Sequence, residues 1–318
     1  VDTKKLDVVT FGEPMTMFYA NEEGPLHEVR SFSKALAGAE SNVATGLSRL
    51  GHTTGLVTKL GKDNFGEFIE SSLKYEGIDT GSIFYSQEHS TGMLIKSKVT
   101  TGDPQVEYFR KNSAASTLSL ADFNGSYFES ANHMHVTSIS SALSSDCHEF
   151  ALYAMDYMHR CGKTVSFDPN LRPALWPDTQ TMIQTINHLA TLSDWFLPGI
   201  NEGKILTGYT TPEEIASFYL ERGPSLVVIK LGPEGAYYKS AEQEGYVTGF
   251  KVDKVIDTVG AGDGFAVGVI SALLENLALD QAVRRGNAIG ALAVMSPGDM
   301  DGLPTREILE KFMNQAAK

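Results

Sequence analysis

The chain is predicted to be α/β, a doubly wound and mostly parallel sheet carrying a small β-sheet lid. Three observations predict this. Short apolar runs alternate with stretches of helical periodicity through most of the 318 residues, as repeated strand–helix units do. Leu226-Val227-Val228-Ile229-Lys230 is apolar almost throughout, which suits a parallel strand covered on both faces. Thr91 to Arg110 breaks the alternation with two strands and no helix between them, as a small projecting sheet would. We therefore expect one domain over 1–318, with the lid formed by insertions at about 13–36 and 91–111.

In order, Val8 to Phe11 is a buried strand that stops at Gly12. A helix carries Val43, Ala44, Leu47 and Leu50 at helical spacing, with Gly51 in C-cap position. Asp63 to Gly77 is a second helix, with Phe65, Phe68, Ile69 and Leu73 on one face. Met93 to Val99 and Val106 to Arg110 are the two lid strands, joined by a turn at Thr101-Gly102-Asp103-Pro104. Met134 to Thr137 is a strand and Ser145 to His159 a helix. Thr164 to Asp168 is a strand that ends in the turn Pro169-Asn170-Leu171-Arg172-Pro173. Then follow a helix over Thr179–Leu192, a strand over Trp195–Pro198, and helices over Glu202–Thr207 and Pro212–Glu221. After Leu226–Lys230, Ala236–Lys239 and Tyr246–Phe250 make an antiparallel addition. Lys254-Val255-Ile256 is short enough for a strand end, and helices near 264–277, 280–295 and 305–314 close the chain. Ligands on such a sheet bind beyond the carboxyl ends of the strands. Asp168, Asn170, Arg172, Glu202, Gly232 and Gly260 all follow predicted strands and so can share one edge.

Hydrophobic content of 42% and charged content of 20% belong to an ordinary globular chain. A net charge of −13 argues against a nucleic-acid partner, because phosphate backbones demand clustered Lys and Arg. Cys147 and Cys161 form no metal-ligand spacing or disulfide framework, and both are expected to be buried thiols. Neither a signal-peptide core nor a bilayer-spanning run is present, so the expectation is a cytoplasmic protein with no membrane association.

The stretch with most chemistry is Asp257-Thr258-Val259-Gly260-Ala261-Gly262-Asp263-Gly264-Phe265, followed by an apolar helical run. A Gly-rich turn that opens a helix offers bare backbone N–H groups to an anion, and the helix dipole adds to the attraction. Asp263 should repel a phosphate held there. It makes sense as a base that takes a proton from a hydroxyl attacking phosphorus; the blander reading is an acid at a helix start, where acids are favoured anyway. Ala37-Gly38-Ala39-Glu40-Ser41-Asn42 feeds another helix start with small residues. Gly38 there allows close approach and Asn42 offers a donor and an acceptor.

Together these stretches resemble the ribokinase-like (PfkB) carbohydrate kinases along essentially the whole chain. The N-terminal signature is Gly38-Ala39-Glu40-Ser41-Asn42-Val43-Ala44, with Leu50-Gly51 and Leu60-Gly61 at the expected distances. The C-terminal signature is Asp257 to Asp263. Within the family the match is closest to the 2-keto-3-deoxygluconate kinases. It rests on Gly12-Glu13-Pro14, Gly38-Ala39-Glu40, Tyr108-Phe109-Arg110-Lys111-Asn112-Ser113-Ala114, Asp168-Pro169-Asn170-Leu171-Arg172 and Pro297-Gly298-Asp299.

The resemblance implies phosphoryl transfer from ATP to a primary hydroxyl of a sugar acid, with Asp263 as base and Gly260, Ala261 and Gly262 as anion hole. Tyr108, Arg110, Asn170, Arg172 and Asp299 would bind the sugar acid together with Gly38 and Asn42, since guanidinium groups suit a carboxylate. Lys230, Gly232, Gly235 and Asn287 would lie along the nucleotide, and Glu202 would reach Mg²⁺ through water. The family's Asn-x-x-Glu pattern is broken by Gly199. Asp257 and Val259 stand where some relatives bind a monovalent cation. A homo-oligomer built through the lid is expected, because it would relieve an exposed sheet edge. The rivals are a fructokinase- or ribokinase-like enzyme of a neutral sugar and a non-catalytic sugar-binding protein on the same fold. A dinucleotide oxidoreductase is disfavoured by Gly12-Glu13-Pro14 where a Gly-x-Gly-x-x-Gly would stand.

Overall fold

A computed structural model describes residues 5–99, 104–296 and 298–315. Thirteen strands occur in these residues: β1 Leu6–Phe11, β2 Met15–Glu23, β3 Phe32–Ala37, β4 Thr54–Gly61, β5 Ile83–Ser86, β6 Met93–Lys98, β7 Val106–Phe109, β8 Ala131–Thr137, β9 Thr164–Asp168, β10 Trp195–Phe196, β11 Leu226–Lys230, β12 Gly235–Ser240 and β13 Glu244–Thr248. Nine of them form one sheet in the order β13-β12-β11-β10-β9-β8-β1-β4-β5. Every neighbour from β11 to β5 is parallel, while β12 and β13 add antiparallel at one edge.

The alternation of side chains along each strand splits the core in two. On β11, Val227 and Ile229 pack into one cluster with the helices Ser145–Arg160, Thr179–Thr191 and Pro212–Leu220. Leu226 and Val228 pack into the other, with Val43 and Leu47 of the helix Ala39–Arg49 and with the helices Ala261–Leu274 and Leu279–Val294. Helices therefore cover both faces, as the run of apolar residues on β11 predicts.

The second sheet has the order β3-β2-β6-β7. Its β2 and β6 are parallel neighbours, and the outer strands β3 and β7 pair antiparallel. A small cluster of Met15, Met17, Ala37 and Leu94 lines its inner face. The turn expected at Thr101–Asp103 lies outside the described residues, as does Pro297 of the signature.

Several expectations are corrected. Lys254–Ile256 is not a strand: the Ile256 N–H donates to the Val294 carbonyl at 2.8 Å, and Val255 and Ile256 are exposed. Gly260 therefore follows an irregular segment and not a strand. The last antiparallel strand runs over Glu244–Thr248 and not Tyr246–Phe250, because the Gly249 N–H turns to the Glu234 carbonyl at 3.1 Å. β10 has two residues, not the four of Trp195–Pro198. β4 and β5 went unpredicted. Cys147 is buried as expected, but Cys161 is part-exposed just past the end of the helix Ser145–Arg160.

Candidate active site

Because the strands from β11 to β1 run parallel, their carboxyl ends deliver Glu13, Ile139, Asp168 and Lys230 to one edge of the sheet. There they line a polar cavity of about 440 Å³, roofed by Met15, Ala37, Leu94 and Tyr108 of the second sheet and by Arg110 just past β7. Asn170, Arg172, Glu202, Asp299, Gly38, Asn42, Gly260, Gly262 and Asp263 line it too. A second cavity of about 720 Å³ lies alongside, more apolar, walled by Phe250, Val252, Val255, Phe265, Ala291 and Val294. Lys230, Thr258 and Gly262 border both. Of the predicted nucleotide residues, Lys230, Gly232, Gly235 and Asn287 line this second cavity, as does Ala261.

The glycine-rich turn is built as its composition requires. Gly260 is the N-cap of the helix Ala261–Leu274 with φ 80°, a conformation that disfavours any side chain. A Cβ there would also stand 2.4 Å from the Asp299 carbonyl oxygen. Among the described residues the amides of Gly260, Gly262 and Asp263 have no protein acceptor, while that of Ala261 makes a long bond of 3.4 Å to the Thr258 carbonyl. The bare amides are thus those of 260, 262 and 263, one place removed from the expected set at Ala261.

Asp263 sits in the first turn of that helix and is buried. Its Oδ2 accepts from Asn42 Nδ2 at 2.7 Å and its Oδ1 from Asn170 Nδ2 at 3.3 Å. Burial pushes its pKa up to about 7; the Asn42 hydrogen bond opposes this, and the nearby Asp168 charge reinforces it. Asn170 reaches this position from a backbone of φ 38°, which asparagine tolerates better than most residues. Gly38, with φ 130°, is likewise constrained: a Cβ would stand 2.7 Å from the Glu13 carbonyl oxygen.

The charged groups have partners that the sequence did not reveal. Arg110 is not a free guanidinium. Its Nε donates to Glu13 Oε2 at 2.7 Å, and the Ser113 hydroxyl donates to Glu13 Oε1. Tyr108 lies beneath the same guanidinium, 5.7 Å from ring centre to Arg110, which stands just past the end of β7 and not within the strand expected to run to it. Arg172 makes no ion pair among the described residues; its Nη1 donates to the Leu171 carbonyl at 2.9 Å. Lys230 Nζ donates to Asp168 Oδ2 at 2.6 Å. Burial opposes its charge, but the carboxylates of Asp168, Glu202 and Asp263 outweigh that and hold its pKa up. Asp299 accepts from Lys96 Nζ at 3.2 Å.

Glu202 is committed to backbone. Its Oε1 accepts from the Leu171 N–H at 2.9 Å and its Oε2 from the Gly199 N–H at 2.7 Å, which caps the helix Ile200–Thr207 and pins the loop after β9. Gly199, where the family pattern has Asn, is the N-cap of that helix and offers no side chain. Asn287 Nδ2 donates to the Val247 and Thr248 carbonyls at 3.0 and 3.3 Å, tying its helix to β13 beside the apolar cavity.

An edge of parallel strands with a polar cavity, an apolar cavity, and a helix start bearing bare amides between them is an arrangement suited to phosphoryl transfer. Residues 5–306 match the model of the pfkB family of carbohydrate kinases, and the chain belongs to that family of phosphotransferases. It is similar to the 2-dehydro-3-deoxygluconokinase of Bacillus subtilis (strain 168), 60% identical over 311 residues, 98% of this chain and 96% of the other. Fructokinase-1 of Oryza sativa subsp. japonica is 31% identical over 318 residues, 97% of this chain and 98% of that one. Among solved structures, a ribokinase II of E. coli in complex with ATP and Mg²⁺ superposes with a TM-score of 0.90 at 28% identity, covering 98% of this chain and 99% of that one.

Proposed function

We propose that the chain is an ATP-dependent sugar-acid kinase that phosphorylates 2-keto-3-deoxygluconate at its primary hydroxyl, giving 2-keto-3-deoxy-6-phosphogluconate. The observation that carries the chemistry is the buried carboxylate of Asp263 beside the bare amides at the boundary of the two cavities. The sugar acid occupies the polar cavity and presents its hydroxyl to Asp263, which takes the proton as the oxygen attacks the γ-phosphorus and the bond from that phosphorus to the β,γ-bridging oxygen breaks, releasing ADP. The amides of Gly260, Gly262 and Asp263 hold the charge on the transferring phosphoryl, with Lys230 and the helix dipole adding to the field. Asn42 and Asn170 orient the base. The adenosine part of ATP takes the apolar cavity, alongside Gly232, Gly235 and Asn287.

The substrate carboxylate is assigned to Arg172 first, because that guanidinium has no carboxylate partner among the described residues. Arg110, with its charge balanced by Glu13, adds directional donors and little net charge. Asp299 and Tyr108 take sugar hydroxyls. Mg²⁺ accompanies the polyphosphate and supplies charge neutralisation there. Among the described residues no cluster of three His, Cys, Asp or Glu could hold an ion alone. Both Glu202 oxygens already accept backbone N–H groups, so the donor set fits an ion held through water and phosphate.

One observation favours a second reading, a kinase of a neutral sugar such as fructose or ribose: the internal neutralisation of Arg110 leaves one uncompensated guanidinium in the cavity. The deciding experiment measures ATP turnover with 2-keto-3-deoxygluconate, fructose and ribose. We expect kcat/KM for the sugar acid to exceed that for either neutral sugar by roughly 10²-fold or more, since a carboxylate matched by a guanidinium without another carboxylate partner discriminates strongly. A preference for fructose or ribose would establish the second reading. No ATP consumption with any sugar would reduce the chain to a binding protein.

A further inference from the structure

Lys96 has no part in the reaction as described so far. It projects from β6 of the second sheet, its side chain only 6% exposed, and its ammonium donates to Asp257 Oδ2 at 2.6 Å and to Asp299 Oδ1 at 3.2 Å. Both acceptors belong to the far side of the cleft, and they flank the amide turn. Asp257 opens it: the other oxygen, Oδ1, accepts from the Val259 N–H at 3.0 Å. Asp299 closes it from above, since its carbonyl oxygen is the atom against which Gly260 packs without room for a Cβ. One ammonium thus grips both sides of the turn, and it is supplied by the other sheet.

An unpaired buried ammonium would be costly, and so would two buried carboxylates without a cation between them. Here burial opposes the charge on Lys96, but the carboxylates of Asp299 and Asp257 outweigh it and raise its pKa, so the ammonium persists across the neutral range. The other contacts of the second sheet with the cavity are made by Met15, Ala37, Leu94, Tyr108 and the Arg110–Glu13 pair. Among the side-chain hydrogen bonds of the described residues, those of Lys96 are the ones that run from the second sheet to the turn itself.

We propose that Lys96 is a positioning residue, a cationic latch through which the second sheet, seated over the sugar cavity, fixes the turn 257–262 and Asp299 in the geometry that phosphoryl transfer requires. The latch touches neither the apolar cavity nor the reacting atoms. Its loss should therefore lower kcat while leaving ATP affinity in place.

The test compares Lys96→Met, which keeps the stem and removes the charge, with Lys96→Ala, which leaves room for a small cation. With ATP and 2-keto-3-deoxygluconate, kcat should fall by about 10–10²-fold in both, the scale of a misplacement of about 1 Å in a reacting group. The ATP dissociation constant should stay within about twofold. Amide hydrogen exchange over 257–262 should quicken. Ammonium or methylammonium should restore part of the Lys96→Ala activity, and tetramethylammonium at equal ionic strength should restore none. A folded Lys96→Met with wild-type kcat overturns the latch, and so does a Lys96→Ala loss that neither cation relieves. If neither variant folds, Asp257→Asn cuts the same contact from the other side while lowering the buried charge; unchanged kcat and exchange there also overturn it. The proposal rests on the kinase reading only through the assay. An inactive wild-type enzyme rejects that reading, whereas an active one with unimpaired variants rejects the latch alone.

Discussion

Asp263 concentrates the single-residue consequences. Its carboxyl is buried and its pKa is raised from 3.8 to about 7, mainly by that burial. A general base works deprotonated, so kcat/KM should rise with pH and level off above roughly 7, falling about tenfold per unit well below it. The stability effect has the opposite sense. An acid whose pKa is higher folded than unfolded binds its proton more tightly in the fold. Stability contributed by the protonated form is complete below about pH 4 and is lost progressively as the pH climbs to about 7. Asp263→Asn should therefore melt higher than wild type at pH 8, by a few degrees on the scale expected for a domain of this size. Its turnover should drop by about 10²–10⁴-fold with ATP binding retained. Calorimetry and steady-state kinetics on the same preparation check both; a variant that is active, or that melts lower at pH 8, contradicts the assignment. Arg172→Ala should raise KM for the sugar acid by about 10–10²-fold and leave that for ATP alone, the loss of one charge-assisted pair.

Among elements, the turn that starts the helix Ala261–Leu274 tolerates little. Gly260→Ala meets both a φ of 80° and the Asp299 carbonyl at 2.4 Å. The strain is on the order of 1–3 kcal/mol, and relief of the clash moves the very amides proposed to hold the phosphoryl. We expect a folded enzyme with a lower melting temperature and at least about 10²-fold less turnover, measured by the same assays.

The turn was legible in the sequence because composition alone makes it: three glycines around a helix start permit few other structures. β11 was legible for the same kind of reason. β4 was not, since Thr58, Lys59 and glycines at both ends disguise a strand that is nonetheless buried along almost its whole length. Lys254–Ile256 misled in the other direction, as β-branched apolar residues suggest a strand even where Val255 and Ile256 lie exposed. Cavity-lining residues such as Asp168, Asn170, Glu202 and Lys230 came through because each lies at or beyond the carboxyl end of a strand on one edge. Their partners did not: Glu13 meets Arg110 across 97 positions and Lys96 meets Asp257 across 161, and no local pattern encodes such a pairing.

For the molecule as a whole, the second sheet raises the question of assembly. Tyr19, Tyr108 and Phe109 are 36%, 50% and 52% exposed on it, and β3 and β7 stand at its edges. A two-sided pairing of this sheet with its copy would cover those rings and edges. We expect light scattering at micromolar concentration to give about twice the chain mass, and Phe109→Lys to shift it toward one. A wild-type monomer at that concentration contradicts the idea. Among the described residues no helix is long and apolar enough to cross a membrane.

The partition formed by Lys230, Thr258 and Gly262 belongs to both cavities at once. On the proposed assignment donor and acceptor can be resident together and meet at that shared border, and the phosphoryl need never be parked on the protein. Initial-rate lines for the two substrates should accordingly intersect, and parallel lines would mean that one guest departs before the other arrives.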